Sequence, residues 1–146
     1  MLYNTLRFGE VEVKEEQIIT FPWGLPGFIE QKKYLPIQYQ EDGSLAFLQS
    51  LDMPELAFII ADPFKYVVNY EVNIPEDELN NLQITKDEEV LVYTILTVQP
   101  GGSEITANLM APVVINTKKR IGKQIILLNS SYDSRYPLTS GQAAAK

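Results

Sequence analysis

The sequence predicts an all-β fold, mostly antiparallel: a small, single-domain, β-barrel-like unit with one short helix. Three observations lead there. β-Branched and aromatic residues dominate the apolar segments, turn residues interrupt those segments at short intervals, and several segments are apolar on both faces. A strand that is apolar on both faces must be covered on both, as in a small barrel or a two-layer packing.

Along the chain, residues 6–13 read as a strand pair around Gly9, and residues 17–21 as a short strand ended by Pro22. Residues 34–39 and 45–50 flank Glu41-Asp42-Gly43, where Asp-Gly is a hairpin signal. Residues 56–61, 90–98 and 121–128 are the segments apolar on both faces. Pro100-Gly101-Gly102-Ser103 is a turn that joins 90–98 to 105–110 as an antiparallel hairpin, and 116–120 is a loop before the last long strand. Residues 75–82 break the β pattern. A proline followed by acidic residues and a leucine pair three apart starts a helix, because carboxylates favour the positive end of the helix dipole. Residues 1–138 therefore form one domain, and 139–146 are a flexible tail, native or appended.

Composition restricts function. The 146 residues include no cysteine and no histidine. A disulfide, a thiolate nucleophile, an imidazole base and a Ser–His pair are all excluded, and a zinc site has none of its usual ligands. The first residues hold no apolar run long enough for a signal peptide, and no segment approaches the roughly 20 apolar residues that cross a bilayer. The expected location is the cytoplasm. A net charge of −7 repels a phosphate backbone and suits a basic partner.

Phe21-Pro22-Trp23-Gly24-Leu25-Pro26-Gly27-Phe28 is the most unusual stretch. Trp23 and Phe28 are expected to plug one end of the barrel, with an aromatic recognition loop as the competing reading. A plug predicts a loss of about 3–5 kcal/mol for Trp23→Ala. The acidic clusters at 10–16, 71–78 and 87–89 lack the spacing of a calcium loop and read as solvated faces, or as docking ground for a basic protein. Lys118-Lys119-Arg120 reads as a solvated hairpin tip, and no phosphate-binding glycine loop is present. No catalytic, metal or cofactor site is expected. A carboxylate hydrolase would rest on Asp52 and Asp62, and a cyclic-dinucleotide sensor would need clustered arginines where Arg7, Arg120 and Arg135 are scattered.

Several segments, in order, resemble the flagellar assembly factor FliW family. They are the 21–28 loop just quoted, Phe47-Leu48-Gln49-Ser50-Leu51-Asp52, and Leu56-Ala57-Phe58-Ile59-Ile60-Ala61-Asp62-Pro63-Phe64. Further on come Tyr70-Glu71, Ile105-Thr106-Ala107-Asn108-Leu109-Met110-Ala111-Pro112, and Arg120-Ile121-Gly122-Lys123-Gln124. The resemblance spans about residues 6–138. It implies a small β-barrel-like fold and a non-enzymatic, cytoplasmic role in flagellum assembly. It implies binding to flagellin and to the basic translational repressor CsrA, as a partner switch that controls flagellin synthesis, with no direct nucleic-acid or membrane contact. The free protein is expected to be a monomer. Candidate partner-contact residues are Glu71, Tyr70, Glu76, Trp23, Phe28, Asn108, Met110 and Tyr136.

Overall fold

The computed structural model describes residues 1–39, 44–99, 101, 104–127 and 131–138. The Glu41-Asp42-Gly43 turn, most of the 100–103 turn, Leu128 and the 139–146 tail lie outside the described residues. Eleven strands are present among those described: β1 Leu2–Thr5, β2 Gly9–Glu12, β3 Ile19–Thr20, β4 Lys33–Gln38, β5 Leu45–Ser50, β6 Ala57–Ala61, β7 Val90–Val98, β8 Ile105–Ala107, β9 Val113–Asn116, β10 Ile121–Gln124 and β11 Tyr136–Pro137. The predicted helix is α1, Glu76–Asn81, with Pro75 at its N-cap and three carboxylates in its first turn.

Seven strands close a barrel in the order β7-β6-β5-β4-β3-β10-β9, with β9 returning to β7. The fold is the mostly antiparallel β-barrel that the sequence predicts. Every neighbour in the ring is antiparallel except β3 and β10, which run parallel and meet at one pair, Ile121 opposite Thr20. The long strand β7 serves two partners along one edge: Val90 to Tyr93 pair with β9, and Leu96 to Val98 pair with β8. β11 extends the sheet beyond β8, and β1 and β2 form a separate hairpin.

Two cores lie on either side of the barrel wall. Inside, Phe21, Leu25, Tyr34, Leu48, Ile60, Val113 and Ile115 pack together. Outside, Tyr70, Leu82, Leu109, Val114, Ile125 and Leu127 bury the opposite face of the wall. Strand β9 shows why: Val113 and Ile115 face inward, Val114 faces the outer core, and all four residues are buried.

Some predicted boundaries need correction. The 6–13 strand pair is the β1–β2 hairpin shifted towards the N-terminus, because the Thr5 hydroxyl closes the turn. It accepts from Phe8 N–H and donates to the Gly9 carbonyl, both at 2.8 Å. In the 17–21 segment only Ile19–Thr20 is strand. Glu15–Gln17 forms a 3-10 turn, held by Lys14 N–H donating to the Gln17 side chain at 2.8 Å. Strand β8 ends at Ala107 because Asn108 Oδ1 accepts from Ala111 N–H at 3.1 Å and bends the chain. Strands β9 and β11 are absent from the sequence prediction altogether.

Asn116 joins the barrel to α1. Its side-chain amide donates to the carbonyls of Leu82 (2.8 Å) and Gln83 (3.1 Å), and its Oδ1 accepts from Lys118 and Lys119 N–H at 3.0 and 3.1 Å. The residue has no exposed surface. Asn116→Ala leaves two carbonyls and two N–H groups without these partners, and is expected to destabilise the fold by about 3 kcal/mol in urea denaturation. A loss under about 1 kcal/mol would contradict the joining role.

Candidate functional site

The 21–28 loop is built by Gly24. Its φ of +69° is left-handed, and a Cβ there would sit 2.4 Å from the Ile29 backbone, so only glycine fits. The resulting fold closes with Gly24 N–H on the Phe21 carbonyl and Phe28 N–H on the Leu25 carbonyl, both 2.8 Å. It turns Phe21 and Leu25 inward, where both are fully buried. The plug is therefore Phe21 and Leu25, and the expectation for Trp23 and Phe28 is corrected: Trp23 is 45% exposed and Phe28 36%. Phe21 meets Tyr34 edge-on at 5.4 Å, and burial first, then the Asp52 charge, pushes the Tyr34 hydroxyl up to about 12.

Trp23 instead forms one wall of a groove of about 650 Å³. Asn108, Met110, Phe58, Ile126 and Arg135 also line it. Three of the predicted contact residues, Trp23, Asn108 and Met110, are thus brought together from two distant segments. Phe28 stands behind them, edge-on to Phe58 at 5.8 Å. The sequence reading missed Lys123, whose ammonium lies 4.8 Å from the centre of the Trp23 ring and 2.6 Å from Glu78 Oε1. A lysine inside a strand otherwise read as apolar was the available signal.

A second, shallower groove of about 430 Å³ lies beside Glu71. Glu71 and Asp87 line it, with Phe64, Ile74, Leu79 and Val92. Glu76 is exposed on the first turn of α1. Tyr70, expected as a contact residue, is buried: it is 5% exposed, its hydroxyl donates to the Leu109 carbonyl at 2.7 Å, and its ring packs on Tyr132 at 4.7 Å. Burial, then Tyr132, raises its pKa. Its role is to tether the segment that carries Glu71, whose N–H donates to the Tyr132 hydroxyl at 2.8 Å. Tyr136 is half-buried on β11 against the outer core and lines neither groove.

Helix α1 spans the space between the two grooves. Leu79 lines the second, and Glu78 holds Lys123 of the first. Burial opposes ionisation of Glu78, but hydrogen bonds from Lys123 and Asn81, and the Lys123 charge, outweigh it and lower its pKa. Arg7 lies over Phe47, Arg120 donates to the Glu15 carbonyl, and Arg135 lines the first groove, so the three arginines serve separate places. The Asp62 carboxylate accepts from Phe64 N–H at 3.0 Å and caps a short turn.

Two outcomes follow from this geometry. Trp23→Ala is expected to cost about 1 kcal/mol or less, the scale of one exposed cation–π contact, whereas Phe21→Ala costs about 3–5 kcal/mol. Equal losses in denaturant titrations would contradict the assignment of plug and groove wall. The lowered Glu78 pKa means that its ion pair stabilises the fold above the ordinary carboxylate pKa of about 4.3, and that this contribution is lost as pH falls through the folded value. The stability gap between wild type and Glu78→Gln should therefore be constant near neutrality and shrink below about pH 4. A gap that widens in acid would contradict the pairing.

Comparison with known proteins gives a consistent answer. The family model described as FliW protein matches residues 2–138. The flagellar assembly factor FliW of Geobacillus kaustophilus is 42% identical over 138 residues, covering 94% of this chain and 95% of that protein. The Bacillus subtilis counterpart is 39% identical, covering 94% and 96%. A crystal structure of the flagellar assembly factor FliW superposes with a TM-score of 0.86 at 39% identity, covering 95% of this chain and 97% of that one. With its closed seven-strand barrel and its match along nearly the whole sequence, the chain belongs to the FliW family of flagellar assembly factors, a family of assembly factors and not of enzymes.

Proposed function

We propose that this protein is a cytoplasmic partner switch: it binds flagellin, and it binds and antagonises the basic repressor CsrA, so that flagellin availability sets flagellin synthesis. The observation that carries this reading is the pair of unlike grooves joined by α1. A carboxylate-lined surface with Glu71 and Asp87 on a chain of charge −7 suits a basic protein. An apolar groove with an aromatic wall suits a hydrophobic protein segment. Because α1 supplies Leu79 to one groove and Glu78 to the anchor of the other, a ligand that shifts the helix at one groove alters the second. That link is the physical basis for exchange between partners.

The reading leads to three measurements on the intact protein. Raising salt from physiological strength to 1 M shortens the screening length from about 8 to about 3 Å, so CsrA association should slow markedly while dissociation changes less. Glu71→Lys should slow CsrA association by about threefold to tenfold with an unchanged melting transition, since Glu71 is exposed. Flagellin titrated into a preformed complex should release CsrA. A stable ternary complex at saturating flagellin would overturn the switch.

A further inference from the structure

The barrel has one weak seam, and it opens into the first groove. β3 leaves the ring after Thr20, whose N–H donates to the Arg120 carbonyl at 3.0 Å, and Phe21 N–H turns to the Lys32 carbonyl instead. On its other side β10 stays paired well past Gln124: Ile125 N–H donates to the Pro112 carbonyl (2.9 Å) and Leu127 N–H to the Met110 carbonyl (2.7 Å). Strand geometry sends the N–H groups of alternate residues to opposite sides. Those of Gln124 and Ile126 therefore point away from β9, towards the seam, and neither has a partner among the described residues. Lys123, Gln124 and Ile126 line the groove at this edge, and Ile126 is 58% exposed. A second orphan is present. Gln124 Oε1 is sealed from solvent with no donor, although its Nε2 donates to the Ala111 carbonyl at 3.0 Å.

The geometry points to β-strand addition: the edge of β10 from Gly122 to Ile126 accepts an extended polypeptide segment, with apolar side chains against Trp23 and Met110 and a carboxylate at Arg135. An unpaired strand edge beside an apolar trough is the arrangement by which main-chain hydrogen bonds supply affinity and alternate side chains supply selectivity. The charge of the ligand follows from the lining. The ionisable groups of the groove are Lys123 and Arg135, with no carboxylate among its lining residues, in a chain of net charge −7. Lys123 is held by Glu78, which leaves the Arg135 guanidinium, with no ion-pair partner among the described residues, to receive an anion. This inference rests on the reading of the protein as a partner-binding factor and adds the conformation in which one partner segment is held.

Trp23 is the only tryptophan, so its fluorescence reports on the groove directly. The probe is a synthetic peptide of about six residues, alternating valine and threonine with a free C-terminal carboxylate. Two further peptides carry N-methyl groups on every valine or on every threonine. The unmodified peptide is expected to bind, one methylated series to bind about tenfold more weakly, and the other to bind as before, because only one set of amides faces β10. C-terminal amidation should weaken binding to wild type and leave binding to Arg135→Ala unchanged. Ile126→Pro removes an outward N–H and no bond of the fold, and should abolish binding with an unchanged denaturation midpoint. If that variant proves unstable, the methylated series on the wild-type protein decides the matter. Absence of peptide binding, equal binding of both methylated series, or tighter binding of a helix-stapled peptide of the same composition would overturn the proposal. Flagellin and CsrA binding measured on the same preparation separates this outcome from failure of the partner-switch reading.

Discussion

Closure of the barrel depends on one parallel contact, Ile121 opposite Thr20. Six of the seven joints are antiparallel, with two to five residue pairs each, but β3 is two residues long and leaves the ring as soon as the parallel contact is made. What fills the gap is side chain in place of strand. Phe21 and Leu25 fold inward behind the glycine turn at Gly24 and seal the interior. Gly122, on the facing strand, leaves room for the Phe21 ring, whose atoms would lie 2.7 Å from any added Cβ. Plug and strand are fitted to one another across the seam, and the cost of the short strand is an edge of β10 that faces a groove.

The same constraint places the remaining parts. Since the 21–28 loop turns its small and buried residues inward, Trp23 is left on the outer side, where it meets Lys123 from β10. Lys123 is anchored in turn by Glu78 of α1, and α1 is fastened to the barrel by the Asn116 amide through Leu82 and Gln83. A short helix that would be unstable alone is thus held by a buried asparagine, a partly buried ion pair and Leu82 in the outer core. The chain of contacts runs from the seam to the acidic groove beside Glu71, and it consists of a few specific bonds between otherwise independent surfaces.

Much of the fold was legible in the sequence. Residues 90–98 and 45–50 coincide with β7 and β5, and α1 lies within 75–82, because local pattern and burial agree in those segments. Segments 90–98 and 121–128, read as apolar on both faces, are covered only in part, with Leu91, Val98 and Ile126 exposed, whereas β9, buried along its whole length, lies outside the segments read as strand. β11 is two residues long and carries no period at all. The site was less legible, for a reason that lies in the backbone. Whether Trp23 or Phe21 fills the barrel depends on the left-handed turn at Gly24, and composition cannot tell which of the neighbouring aromatics such a turn sends inward. The burial of Tyr70 is equally illegible locally, since it rests on a bond from its hydroxyl to the carbonyl of Leu109, far along the chain. Trp23, Asn108 and Met110 do share one groove, but the residues that give that groove its charge, Lys123 and Arg135, are not among the candidate contact residues, since in the sequence Arg135 reads only as one of three scattered arginines.

The open seam can be tested in the free protein by amide hydrogen exchange read residue by residue along Lys123 to Ile126. The amides of Lys123 and Ile125 face β9 and its continuation, whereas those of Gln124 and Ile126 face the groove. Alternation is therefore the expected result: slow exchange at Lys123 and Ile125, and fast exchange at Gln124 and Ile126. Uniform protection of all four amides would mean that the edge is covered, and would contradict the account.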